Sequence, residues 1–427
     1  MHQAVQWYKR YIAPILVYDF IFYLPFVVYS LYVRLRYFNW LSRPDVGFPK
    51  AADSDWYIQY AHNLMHDFKI GTDMNDIMYI GYNLLLTGLL AIVKDPVRIM
   101  FIQVVVASLC VILVFKISRM LFNLRTAIIA SYFYAFLWDI TLWSGYILTD
   151  SFFISLLLLS VFLLIKCYQS PKRVYKISFA ISAFWLLIFR PSGIFSVAFL
   201  LIYILINLPK HSITGFLKKY RYPILGAVGA IAVVFFILLA GGQLNSLIDS
   251  MQFNAKKVLY NQYANGWIYD HPSPQDHKFR PDYSIDILNS LILSFIINNW
   301  DHIGIIYFKR AIAFFGRWVW SVDISTWFGI KLFISHMIPT GLFTIGTFAV
   351  FYNKMFKRTS IIWLLILSVF IFCLIFFIDG MFRYKAPGTP FIVIAVAYGA
   401  DRILFTVIYI AKKLTEKLPW TKRKFSL

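Results

Sequence analysis

The chain has 427 residues, of which 60% are hydrophobic, 19% aromatic and only 14% charged, with a mean hydropathy of +0.67. So little polar surface cannot cover a soluble globule of this size, which excludes a water-soluble enzyme or binding module and predicts a polytopic membrane protein. The net charge of +21 would suggest nucleic acid in a soluble chain, but here its placement between apolar segments reports topology.

Roughly 20 apolar residues cross a bilayer as a helix. Candidate segments fall at 13–33, 77–93, 97–115, 126–143, 151–168, 177–189, 193–208, 222–240, 327–352, 360–378 and 389–411. The first follows Lys9 and Arg10 as a signal sequence would, but it is long and has no small-residue cleavage site, so a retained span is expected. Lys and Arg gather in six places: Lys9 and Arg10; Lys116, Arg119 and Arg125; Lys166 to Lys176; Lys210 to Arg221; Lys354, Lys357 and Arg358; and a tail from Arg402 to Lys424. Together these hold more than half of the 41 Lys and Arg, against a single acid, Glu416.

The positive-inside rule makes those six places cytoplasmic. If every candidate segment crossed, strict alternation would scatter them over both faces. Treating 77–93 as a helix that lies in or dips into the outer leaflet puts all six inside with ten spans. The expected fold is an all-α polytopic membrane protein of about ten transmembrane helices, with interfacial juxtamembrane helices in the first and the large late outward loops. It forms a single membrane-embedded domain over 1–427, with outward loops at 34–96 and 241–326, shorter outward turns at 144–150, 190–192 and 379–388, and a basic cytoplasmic tail at 402–427. Both termini are expected to be cytoplasmic. Cys110, Cys167 and Cys373 lie in or beside apolar runs without a CxxC or Cys/His pattern and read as packing residues.

The outward segments hold the chemistry. Asp53, Asp55, Asp67, Asp73 and Asp76 crowd between 51 and 76 beside Trp56, Tyr57 and Tyr60. Spacing after Asp53 predicts a short interfacial helix with Asp53 or Ser54 at its N-cap, and a carboxylate held at the lipid–water boundary suits a general base. Asp150 stands at the start of a later helix, either as its cap or as a second functional carboxylate. Arg190, in Phe-Arg-Pro-Ser-Gly, interrupts an apolar run and belongs in an outward hairpin turn, because Arg is costly at mid-bilayer. The turn at 379–388 places Arg383, Tyr384 and Lys385 on the outward side, where charge topology does not call for cations; an anionic group such as a lipid phosphate does. Arg310 and Arg317 are seven apart and share a helix face flanked by aromatics, as at an anionic lipid surface. His62 and His66, four apart and near Asp67, form only a two-histidine pattern, and no metal ligand is assigned. Asp19, inside the first apolar segment, needs a partner or a wet cavity.

These pieces resemble, in order, the C-type glycosyltransferases that use polyprenyl-phosphate sugars, the clan of protein O-mannosyltransferases and lipid A aminoarabinose transferases. The matching elements are Asp-Ser-x-x-Tyr-x-x-x-Ala-x-Asn-Leu from Asp53 to Leu64, the acid Asp150, the Arg190–Pro191 hairpin, and Arg-Tyr-x-x-Pro at Arg383, Tyr384 and Pro387. The chain departs from the pattern in having Ala52 where the family usually has Gly, and in lacking the Lys-Pro-Pro element of the aminoarabinose branch near 70–80.

The resemblance implies a membrane glycosyltransferase moving a sugar from a polyprenyl-phosphate donor to an acceptor hydroxyl on the extracytoplasmic face, with inversion. Asp53 is then the expected base, Asp55 its alternate, and Asp150 an orienting residue. Arg383 is expected on the phosphate, supported by Tyr384, Lys385 or Arg190, with Tyr57, Arg310 and Arg317 as further substrate contacts. The implied partners are the lipid-linked donor, a glycolipid, polysaccharide or protein acceptor, and membrane lipids, with no nucleic acid. No cofactor is obligatory, and use of a divalent metal stays open. A bacterial plasma membrane is preferred over an endoplasmic reticulum. The alternative is a polytopic transporter or lipid flippase working through intramembrane Asp19 and Asp139.

Overall fold

The computed structural model describes residues 19–417 except 44, 46, 52, 72, 243, 251–252, 254–281, 317–321, 323 and 376–380. Among the described residues the regular structure is entirely helical. The first helix, α1 (Phe20–Leu41), leads to a juxtamembrane segment of three short helices, α2 (Ser54–Asp67), α3 (Met74–Met78) and α4 (Ile80–Val93). With 14 residues, α4 rises about 21 Å at 1.5 Å per residue, short of the roughly 30 Å hydrocarbon core. The segment expected not to cross is therefore a helix too short to do so.

The next helices start on local signals. α5 (Pro96–Leu121) opens with Pro96 behind Asp95, whose carboxylate accepts from the Val97 amide at 2.9 Å. α6 (Leu124–Ala135) opens behind Asn123, which accepts from Thr126 N at 2.9 Å. α7 (Trp138–Ser144) leaves α6 at 50°, so the span expected at 126–143 is a broken one. Then follow α8 (Thr149–Gln169), α9 (Arg173–Phe189), α10 (Pro191–Asn207) and α11 (Lys210–Ala240). The late outward region contributes α12 (Leu291–Asn298) and α13 (Trp300–Phe315). The chain closes with α14 (Trp327–Tyr352), α15 (Phe356–Ile375), α16 (Met381–Lys385), a 3-10 turn at Ala386–Gly388, and α17 (Thr389–Lys417).

Helices α5, α8, α14 and α15 and the stretch Arg383–Thr415 are long and apolar enough to cross a membrane, and α6 with α7 makes a further, broken span. α1, α9, α10 and α11, of 22, 17, 17 and 31 residues, occupy the remaining expected positions. The described helices thus follow the order of the expected spans, and five of them, or six with the broken pair, are long and apolar enough to cross. α5 packs against α1, α6 and α8, while α17 packs against α14 and α6, and α15 against α10. Their apolar faces merge into one core running from Val27 to Ala397.

The two ends of this bundle differ in charge. At one end Arg119 meets Asp19 at 2.9 Å, Arg358 donates to the Met120 carbonyl, Asn207 donates to the Lys357 carbonyl at 3.3 Å, and Arg125 and Arg402 hold Asp401. Three of the expected basic clusters thus meet at this basic end; Lys9, Arg10 and the last part of the tail lie outside the described residues. Asp19 was expected within the first span, but it stands at the N-cap of α1, half-exposed and paired. It is therefore not the isolated intramembrane acid that the transport reading requires. The opposite end gathers Asp53, Asp150, Arg190 and Arg383.

Candidate active site

Each of these four side chains is delivered by a local irregularity. Asp53 occupies the N-cap position of α2 without making a side-chain cap bond; the neighbouring Ser54 Oγ instead accepts from Ala51 N at 3.1 Å, and the Asp53 carboxylate turns to the interior. Asp150 lies in the first turn of α8, where the helix dipole favours a carboxylate, and its oxygens meet guanidinium groups. Arg190 is extended between α9 and α10, with Pro191 at the first helical position. Behind it, a Cβ on Gly193 would sit 1.9 Å from the Leu186 carbonyl oxygen, so only glycine lets this hairpin close so tightly. Arg383 is carried by the short helix α16.

Together they form a chain of alternating charge. Arg383 Nη1 donates to Asp53 Oδ2 at 2.5 Å and its Nε to Asp150 Oδ2 at 2.7 Å, while Arg190 Nη1 donates to Asp150 Oδ1 at 2.6 Å. Burial is graded along it: the Asp150 side chain is fully buried, Arg190 2% exposed, Arg383 14% and Asp53 44%. Arg190 thus sits in the expected hairpin turn, but its side chain is buried. Its guanidinium lies 5.3 Å from the Phe153 ring centre and 5.7 Å from that of Tyr384, within cation–π range.

A layer of tyrosines closes the site on the juxtamembrane side. Tyr57 touches Tyr79 and Tyr82 with ring centres 5.9 and 4.8 Å apart, and Tyr82 packs on Phe189. Burial pushes the Tyr57 hydroxyl well above the usual phenol range, and burial raises Tyr79 as well. Tyr79 and Tyr82 were not singled out in the sequence, although their three-residue spacing at the start of α4 marks a shared face.

The other expected residues go elsewhere. Asp55 points to the surface and pairs with Lys50 at 2.9 Å, outside the ion-pair chain. Lys385 is buried and donates to the Gly316 carbonyl at 3.0 Å. It borders an apolar cavity of about 290 Å³ between α6, α7, α14 and α17 that also includes Asp139. Arg310 is buried and donates to the Leu374 carbonyl at 3.1 Å. Lys385, Arg190 and Arg310 all lie within electrostatic reach of Cys373, so three cations converge near the site end of α15. Arg317 and the middle of the large late loop lie outside the described residues. His62 and His66 are exposed on α2, and among the described residues no three His, Cys, Asp or Glu side chains gather in a metal-binding group.

Comparison with known proteins gives the same architecture. A family model described as dolichyl-phosphate-mannose-protein mannosyltransferase matches residues 80–239. No curated protein matches the sequence. Among solved structures, the archaeal oligosaccharyltransferase AglB from Archaeoglobus fulgidus, in complex with an inhibitory peptide and a dolichol-phosphate, superimposes with a TM-score of 0.50 at 13% identity. That match covers 97% of this chain and 52% of AglB. The apo form of the A. fulgidus oligosaccharyltransferase gives 0.50 and 13%, over 93% and 52%. This chain thus spans about half the length of those structures, and at such identity the likeness is one of fold. The chain shares the fold of the A. fulgidus oligosaccharyltransferase.

Proposed function

We propose that this protein is a membrane glycosyltransferase that transfers a sugar from a polyprenyl-phosphate donor to an acceptor hydroxyl at the site end of the bundle, with inversion. The observation that carries the reading is Arg383 bridging a buried and a half-exposed carboxylate that lie far apart in sequence. The partial family match and the shared fold support the glycosyltransferase class.

The geometry suggests how the step proceeds. A donor phosphate is an anion that competes with Asp53 for Arg383, while Asp150 keeps Arg190 as a partner. Displacement from Arg383 frees the Asp53 carboxylate next to the bound donor. The acceptor oxygen attacks the anomeric carbon, the bond to the phosphate oxygen breaks with its electrons staying on the phosphate, and the acceptor proton passes to Asp53. Arg383 stabilises the charge gathering on the leaving phosphate. Asp150 is a positioning residue that fixes both arginines. The apolar cavity beside Lys385, of about 290 Å³, would take the first isoprene units of the prenyl chain. No step requires a metal ion or nucleotide.

The basic end faces the cytoplasm by the positive-inside rule, which puts the reaction on the extracytoplasmic side. The test is release of polyprenyl phosphate from a panel of polyprenyl-phosphate hexoses and pentoses by purified protein supplied with an acceptor extract. Acceptor-dependent release supports the reading; a folded protein that binds these lipids without cleaving any of them overturns it.

A further inference from the structure

A second cavity lies beside the ion-pair chain and is not used by the reaction as described. It measures about 380 Å³ and is lined by Trp56, Gln59, Tyr60, Asn63, Asp67, Lys69, Gly71 and Asp76, a size typical of small-molecule sites. Its helical wall is ordered. Asp53, Trp56, Tyr60, Asn63 and Asp67 follow one another at steps of three and four residues, so they share one face of α2. The stripe runs about 21 Å from the proposed base to the end of the helix.

The far wall is tied down. Gly71 N donates to the Tyr60 hydroxyl at 3.4 Å. Asp76 Oδ2 accepts from Asp73 N at 3.2 Å as half of a capping box on α3. A Cβ on Gly71 would fall 1.9 Å from Asp76 Oδ2, so glycine is what lets this carboxylate lie against the loop. The late outward region braces the same wall: Ser246 Oγ donates to Asp73 Oδ1 at 2.6 Å and Met74 N to Ser250 Oγ at 3.2 Å.

We infer that this cavity is a carbohydrate subsite that holds the acceptor as a glycan, with the hydroxyl to be glycosylated directed along α2 towards Asp53. This deepens, and rests on, the glycosyltransferase reading above. The chemistry is that of sugar recognition. Trp56 and Tyr60 offer aromatic faces, with ring centres 5.6 Å apart, to the apolar C–H faces of a pyranose. Gln59 and Asn63 can each donate and accept, as ring hydroxyls require, while Asp67 and Asp76 accept and Lys69 donates. The link to the reaction is direct, because Trp56 contacts Tyr57 and Tyr79 at 4.8 and 6.3 Å, and Tyr57 lies within electrostatic reach of Asp53 and Arg383.

The experiment is saturation-transfer NMR on the purified full chain in micelles, with mannotriose, chitotriose, cellotriose and tetra-alanine as probes. It is run on wild type, Asp53→Asn, the double variant Gln59→Ala/Asn63→Ala, and Gly71→Ala, each checked for an unchanged size-exclusion profile. Transfer to at least one trisaccharide is expected in wild type and in Asp53→Asn. Affinity should fall at least tenfold both in the double variant and in Gly71→Ala, which moves the far wall while leaving every α2 residue unchanged. Absence of binding by every trisaccharide, binding of tetra-alanine alone, or equal affinity in all variants overturns the proposal. The readout involves no donor, so trisaccharide binding in a protein that cleaves no lipid-linked sugar would sink the reaction while leaving the subsite standing.

Discussion

Two buried carboxylates, one at each end of the bundle, show how similar ion pairs can differ in kind. At the basic end Asp401 is fully buried and held by Arg402 at 2.5 Å, Asn123 at 2.9 Å, Arg125 at 3.0 Å and Thr126 at 3.4 Å. All four partners come from α17 itself or from the α5–α6 junction packed on it. At the site end Asp150 is also fully buried, but among the described residues it pairs with two, Arg190 and Arg383, and Arg383 is shared with the half-exposed Asp53. A carboxylate ringed by partners on adjoining helix ends is a staple. One that shares its cation with an exposed acid belongs to a link that an incoming anion can open.

The sharpest way to break this comparison is to remove one charge from each end. Asp53→Asn keeps the volume and loses the base, so turnover should fall by roughly 10²–10⁴-fold, with donor lipid binding retained. Release assays on a folded variant measure it, and an unchanged rate would move the base elsewhere. Asp150→Asn should act mainly on the fold, because it leaves two guanidinium groups in the interior without their shared anion. Breaking a buried pair in this way costs about 3–5 kcal/mol, read as a lower melting temperature in detergent. Asp401→Asn removes one charge from a cluster that retains neutral donors and two partly exposed arginines. A loss of roughly 1–3 kcal/mol is expected, with turnover within about twofold of wild type. If Asp401→Asn abolished turnover without destabilising the protein, the distinction between staple and site would fail.

Much of this arrangement was legible before any coordinates. The succession of apolar helices, the short helix at 80–93 and the common side of Asp53, Asp150, Arg190 and Arg383 follow from hydropathy, charge asymmetry and motif order, which are properties of near-neighbour sequence. The partnerships were not legible. Arg383 meets Asp53 across a sequence separation of 330, and nothing local to either residue names the other. Local reasoning also favoured a cap for Asp53 and an outward turn for Arg190, because it weighs the nearest backbone and solvent and cannot see a charged partner arriving from another helix. Asp55 shows the converse. Two residues from Asp53 and equally acidic, it rotates onto another face of α2 and pairs with Lys50. The stripe from Asp53 to Asp67 could be read from spacing alone, but the loop that folds back over it depends on the contacts of Tyr60, Gly71 and Asp76.

The smallest predicted effect tests whether the tyrosine layer is a wall or a participant. Burial holds the Tyr57 phenol well above its usual range, so its proton is retained in the folded state at pH values where the unfolded chain has lost it. Its contribution to stability is therefore fully present below the unfolded value, about 10, and is lost as pH rises above that towards the higher folded value. Tyr57→Phe keeps the ring contacts with Trp56, Tyr79 and Tyr82 and removes the ionisable group. Near pH 7 it should change stability by less than about 1 kcal/mol. Above pH 10 the wild type should lose melting temperature more steeply than the variant, and scans from pH 7 to 11 measure the two slopes. A wall also predicts that the turnover profile against pH keeps its shape in Tyr57→Phe. If an alkaline limb of that profile disappeared with the hydroxyl, Tyr57 would be exchanging its proton during the reaction, and the site would need a second acid beside Asp53.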